Sequence, residues 1–195
     1  MILAGIIFSA ICSKGQVLEK SVENFIAKNK IDTSLIYSQG CTGHSFLIDS
    51  CKRDDAFYLL WLKNGRCFVN QFKNCQTSSV ISIDNVNPLS FFLNNLKRIK
   101  EEKIRVPEFY EYQQTKDGID TTFLSEVASH SCFCLFKMNI GDSIVSKIIN
   151  SYNLNYSNSA QNGKNINYAY NQNTKLKSLI DQMSIFLKKI YKGLK

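Results

Sequence analysis

The sequence predicts an α+β fold: a mainly antiparallel sheet of about 7–9 strands with three amphipathic helices packed on it. Three observations predict it. Asn64-Gly65 separates two runs of β-branched and aromatic residues, Ala56 to Lys63 and Arg66 to Lys73. That dipeptide between such runs specifies a tight hairpin, because both central turn positions need positive φ. Other stretches repeat their apolar residues at helical spacing. Finally, 195 residues at 44% apolar and 21% charged, with only 9 Gly and 2 Pro, exclude collagen-like, proline-rich and wholly disordered chains. They suffice for a core that needs neither metal nor disulfide to form.

The chain opens with an apolar run, residues 2 to 12, broken only by Ser9 and followed by Ser13-Lys14-Gly15. Small residues ahead of Gln16 after a short greasy stretch are the pattern of a secretory signal peptide over 1–15. A spanning helix takes about 20 apolar residues, so no transmembrane segment is expected here or later in the chain. The run lacks an N-terminal Lys or Arg, which keeps two alternatives open: a buried first strand, and a lipoprotein acylated at Cys12. The expected address is exported, periplasmic or extracellular. Residues 16–195 then form a single domain, with the formal charge lowered from +8 by the loss of Lys14 alone.

Apolar residues at 18, 22, 25 and 26 predict a helix from Gln16 to Asn29. The Asn64-Gly65 hairpin sets Trp61 opposite Phe68, Phe57 opposite Phe72 and Leu60 opposite Val69. Both of its faces are apolar, so it belongs inside a covered sheet. Ser45 to Asp49 and Ser78 to Asp84 read as flanking strands. Asn87-Pro88 is an N-cap followed by proline at the first helical position. Leu89, Phe92, Leu93, Leu96 and Ile99 line one face of the helix that follows. Strands are expected near 106 to 114, 119 to 127 and 130 to 138, with a turn at Asp117-Gly118, and Asp142 is placed to cap a short helix running to Asn150. Residues 150 to 173 are dominated by Asn and Tyr, a bias that fits an AT-rich bacterial genome. They read as a solvated loop at about 150–164 and a last strand from Asn165 to Tyr170. A closing helix over about 174 to 192 buries Leu176, Leu179, Ile180, Met183, Leu187 and Ile190.

Six cysteines remain after residue 15: Cys41, Cys51, Cys67, Cys75, Cys132 and Cys134. An even number in an exported chain predicts disulfides, without choosing their connectivity. Cys51 and Cys75 fall at the open end of the first hairpin, where a bridge would clamp its base. Cys132 and Cys134, two apart on one strand face, are spaced too widely to pair with each other, so each needs its own partner, for example Cys41 or Cys67.

The two histidines, His44 and His130, each precede a serine. Two such motifs far apart in a chain of this length resemble the 2H phosphoesterase family, in which paired His-x-Ser/Thr motifs face one another. The resemblance implies a base and an acid acting on a phosphodiester. Here the hydroxyls of Ser45 and Ser131 come one residue early, which on a strand turns them to the opposite face. A second constellation, Cys41, His44, His130, Cys132 and Cys134, offers the ligand types of a tetrahedral zinc site. The competing reading of the same residues is packed histidines and oxidised thiols.

Basic residues cluster at Lys97, Arg98, Lys100, Lys103 and Arg105, and at Lys177, Lys188, Lys192 and Lys195. Glu101, Glu102 and Asp181 interrupt them. Solvated helix faces are expected, and no nucleic-acid partner. Tyr152, Tyr156, Tyr168 and Tyr170, set among asparagines, offer the flat faces and amides that bind carbohydrate or peptide. The functional expectation is a non-catalytic binding or structural protein. The alternative is a hydrolase, metal-dependent or phosphoesterase-like, centred on His44 and His130.

Overall fold

The computed structural model describes residues 19–41, 56–73, 78–83, 87–125, 131–156 and 164–191. The proposed signal peptide, Cys12, Cys51, Cys75, both histidines and the strand expected at Ser45 to Asp49 lie outside the described residues. Those described form helix α1 (19–29), strands β1 (Thr33–Cys41), β2 (Ala56–Lys63), β3 (Arg66–Lys73) and β4 (Ile81–Ile83), and helices α2 (Pro88–Asn94) and α3 (Leu96–Glu101). Strands β5 (Glu108–Thr115), β6 (Gly118–Ser125), β7 (Cys132–Ile140) and β8 (Ser143–Asn150) follow. A 3-10 turn (Ser151–Leu154) and helices α4 (Tyr168–Gln172) and α5 (Lys175–Tyr191) complete the chain. The strands make one six-stranded sheet in the order β4-β3-β2-β1-β7-β8, and a separate two-stranded sheet β5-β6. The fold is α+β with a large antiparallel sheet, as the patterning predicts.

The described residues divide into two compact units. The first holds 19–40, 56–73, 78–83 and 135–147, and the hairpin is its centre. Asn64 and Gly65 adopt φ of 53° and 74°, the paired positive values that a two-residue turn requires. The register is the expected one, with Trp61 opposite Phe68, Phe57 opposite Phe72 and Leu60 opposite Val69. Its neighbour is β1, with Ile36 opposite Leu59 and Tyr37 opposite Tyr58.

One sheet face takes α1. Val22, Ile31, Ile36, Leu59, Trp61 and Phe72 form a buried cluster, with Phe25 and Ile26 packed against it. The Phe25 ring meets those of Trp61 and Phe72 edge-on, each at 5.5 Å. Lys30 ends the helix in the left-handed region at φ 51°. There the Ile31 N–H donates to the Ile26 carbonyl and the Lys30 N–H to that of Ala27, the paired bonds of a Schellman cap. Lys137 of β7 pairs with both Glu19 and Glu23 of α1, at 3.0 and 2.9 Å. On the other face Tyr37 packs on Phe136 at 4.9 Å. Asn139 donates to the Ser34 hydroxyl at 3.2 Å, and the Gly141 N–H donates to the Asp32 carbonyl. These contacts share one sum of residue numbers, so β1 and β7 run antiparallel.

The second unit holds 41, 87–125, 131–134, 148–156 and 164–191. Asn87 caps α2 as expected, accepting the Ser90 N–H at 2.9 Å. The helix expected to run on through Ile99 is instead two. Asn95 leaves helical geometry at φ −116°, ψ 16°, and its side chain donates to the Phe91 carbonyl, the local competition that makes asparagine a poor helix-interior residue. Both short helices lie against α5. The first turn of α5 is capped twice. Thr174 accepts the Lys177 N–H, while the Glu102 carboxylate accepts those of Lys175 and Leu176 at 2.6 and 3.2 Å. These bonds satisfy donors a helix start leaves open. Of the six apolar residues assigned to its inner face, Leu176, Leu179, Ile180 and Met183 are buried and Phe186 joins them, with Leu187 and Ile190 half-buried.

Three local expectations are corrected. The turn of the β5–β6 hairpin is Lys116-Asp117, with Thr115 opposite Gly118; Gly118, at φ 138°, opens the returning strand. The segment after Asp142 is strand β8, not a helix. Gly141 takes φ 53° and turns the chain back from β7, and the β-branched Ile144, Val145, Ile148 and Ile149 favour the extended state. The strand expected from Asn165 to Tyr170 is a turn leading into α4, for a reason that lies in the asparagine side chains.

Candidate ligand platform

Asparagine competes with regular structure by bonding nearby backbone. Here it does so in the interior. Asn165 accepts the Asn167 N–H through Oδ1 at 2.9 Å, closing an Asx turn. The Tyr168 N–H donates to the Asn165 carbonyl, which starts α4 where alternation alone predicted a strand. Asn165, Asn167, Asn171 and Thr174 are all buried. The end of the asparagine-rich stretch therefore carries part of the unit's interior.

Its amides bind two other stretches of backbone. Towards 105–108, Asn171 accepts the Arg105 N–H and donates to the Arg105 carbonyl, both at 2.9 Å. Asn167 donates to the Val106 carbonyl, and the Ile166 N–H donates to that of Glu108. Towards 153–156, Asn171 donates to the Asn153 carbonyl at 2.8 Å, Gln172 to that of Leu154 and Asn165 to that of Asn155. A buried amide that meets its partners rigidifies what it touches, since any opening strands donors and acceptors in a dry interior.

The tyrosines project from this frame. Tyr156 and Tyr168 meet edge to face at 5.1 Å with planes 88° apart. The Arg105 guanidinium lies over the Tyr170 ring at 3.8 Å, and the Lys164 ammonium over Tyr156 at 5.4 Å. Tyr156 is 51% exposed and Tyr170 39%. Of the four tyrosines singled out in the sequence, the structure joins Tyr156 to Tyr168 and pairs Tyr170 with a cation. Tyr152 sits half-buried in the 3-10 turn Ser151–Leu154. Sequence reasoning missed Arg105 and Lys164. In the sequence Arg105 reads as one member of a basic run, and nothing local reveals that it lies over a ring 65 residues away.

The cysteine expectations are resolved in part. Cys41 and Cys132 form a disulfide across a separation of 91 residues, one of the pairings the sequence offered. Cys67 and Cys134 are buried thiols outside any disulfide. Burial pushes the Cys67 thiol up to about 12, against a weaker opposing effect of its contact with the Phe68 carbonyl. Of the zinc constellation, Cys41 and Cys132 are bonded to each other, so these two are not thiolate ligands. Among the described residues no group of three or more His, Cys, Asp or Glu side chains could hold a metal ion. The basic clusters are partly paired with neighbours four residues on, Arg98 with Glu102 and Lys177 with Asp181.

Among the described residues no helix is long and apolar enough to cross a membrane. Compared with models of protein families, with curated proteins and with solved structures, the chain matches none of them.

Proposed function

We propose that the chain is exported to the periplasm or the extracellular space and acts there as a non-catalytic binding protein for carbohydrate. One observation carries the reading: half-exposed tyrosine rings beside a hydrogen-bonded frame of buried amides, with two cations at the ring faces. Rings fixed before the ligand arrives lose little entropy on binding, and flat aromatic faces suit the apolar face of a pyranose. The two cations favour an acidic sugar over a neutral one. The Cys41–Cys132 disulfide supports export, because such bonds persist in oxidising compartments.

The test is calorimetric titration with an oligogalacturonate and, in parallel, a neutral cello-oligosaccharide. The acidic sugar should bind with Kd on the order of 0.1–1 mM, about −4 to −5.5 kcal/mol, and the neutral one more weakly. Tyr156→Ala and Arg105→Ala should each abolish measurable heat. Binding that survives both substitutions, or no binding of either sugar, refutes the reading.

A further inference from the structure

The six-stranded sheet ends in two unlike edges. An edge strand presents a row of backbone donors and acceptors that another strand can take up, and sheets blunt it with shortness, proline, bulges or charge. Strand β4, at one edge, is only three residues long. Strand β8, at the other, runs for eight, Ser143–Asn150, with no proline, no acid and Lys147 as its one charge. Its Ile144 is 64% exposed and its Ile148 73%. Among the described residues no strand pairs with its outer side.

The turn into β8 decides which backbone groups face that side. Gly141, at φ 53°, holds the first central position of the two-residue turn between Ile140 and Ser143, so these two exchange backbone hydrogen bonds. From Ser143 the direction alternates. Ser143, Val145, Lys147 and Ile149 turn their N–H and C=O groups to β7, while Ile144, Ser146 and Ile148 turn theirs outward. An added antiparallel strand must meet those three with outward residues of its own. A second copy of β8 does so about a twofold axis through Ser146. Ile144 then lies opposite Ile148 of the second copy, Ser146 opposite its own counterpart, and Lys147 opposite Val145. The neighbouring register, centred on Lys147, would set lysine on lysine and Ile144 on Asn150, and like charges directly opposite are unfavourable. We propose that β8 pairs antiparallel with β8 of a second copy, joining two six-stranded sheets edge to edge about Ser146. The assembly stops at two, because this isologous contact uses the long edge of both copies and leaves only the three-residue β4 edges.

Sedimentation equilibrium of the full chain over roughly 10 μM to 1 mM spans the range in which a small interface associates, and a monomer–dimer equilibrium is expected. Ser146→Lys sets two lysines face to face at the axis. Because Ser146 is exposed, this variant should melt as the wild type does and lose the dimer. Ser146→Cys lies opposite itself and should form a covalent dimer on treatment with oxidised glutathione. Ile144→Cys, opposite Ile148, should not exceed the wild-type background. This cysteine pair reads the register even where the lysine variant is less stable. A chain that stays monomeric throughout, a dimer that survives Ser146→Lys, or equal cross-linking by the two cysteine variants overturns the proposal. None of these readouts depends on sugar binding at Tyr156.

Discussion

Replacing Asn171 by alanine tests the buried amide frame most severely. Asn171 is fully buried, and its side chain holds the Arg105 N–H, the Arg105 carbonyl and the Asn153 carbonyl. Alanine removes all three bonds and leaves three partly buried backbone groups without their side-chain partner. A net hydrogen bond is worth about 1 kcal/mol, and an orphaned buried group costs about 1–3. The expected loss is therefore about 3–5 kcal/mol, or roughly 6–20 °C in melting temperature for a chain of this length. Asn171→Asp should cost at least as much, because a carboxylate oxygen would then face two carbonyls. Asn173→Ala is the control: Asn173 is exposed and bonds only the Ala169 carbonyl of its own helix, so about 0.5–1 kcal/mol is expected. Urea denaturation followed by circular dichroism reads all three. A loss below about 1 kcal/mol for Asn171→Ala, or one equal to that of Asn173→Ala, would refute the frame.

Reduction of Cys41–Cys132 opens a covalent link spanning 91 residues. Chain entropy puts the cost at roughly 4–5 kcal/mol, to be measured as the urea-midpoint difference between protein with and without reductant. Cys67, whose thiol is pushed up to about 12 by burial, stays protonated in the folded chain. An Ellman assay near pH 8 should find it inert until denaturant is added. Its folded value lies above the unfolded one, so the stability it contributes is complete below about pH 9 and declines between about pH 9 and 12, by up to about 1.4 kcal/mol per pH unit. A melt series across that range should show Cys67→Ala removing part of the slope. Lys137 is held above the usual lysine value, chiefly by its bond to Glu23 with Glu19 adding to it and partial burial opposing. Lys137→Met should cost about 1 kcal/mol or less, shrinking as salt rises, and hydrogen exchange should locate the loosening in α1.

What the sequence revealed was decided by short-range chemistry. Asn64-Gly65 can form one kind of turn cheaply, and that turn fixed the whole register from Trp61–Phe68 to Phe57–Phe72. Asn87-Pro88 marked a helix start for an equally local reason. The misreadings came where side chains override periodicity. Ile166, Tyr168 and Tyr170 alternate as in a strand, yet the Asn165 side chain claims the Asn167 N–H first. Asn95 splits a helix whose apolar stripe runs on unbroken. Residues 143–150 carry β-branched side chains that outweigh the capping aspartate. The tyrosines of the platform were legible as a composition bias. Their cations were not, since Arg105 and Tyr170 meet only through the buried amides between them.

The central claim is that a preformed tyrosine surface with two cations takes a carbohydrate. Nitrogen-15 and aromatic NMR spectra recorded during titration with the oligogalacturonate test it most directly. Resonances of Arg105, Tyr156, Lys164, Tyr168 and Tyr170 should move together and saturate, with little change elsewhere. Shifts centred on His44 and His130, or loss of the oligosaccharide by cleavage, would contradict it and favour the alternative hydrolase reading.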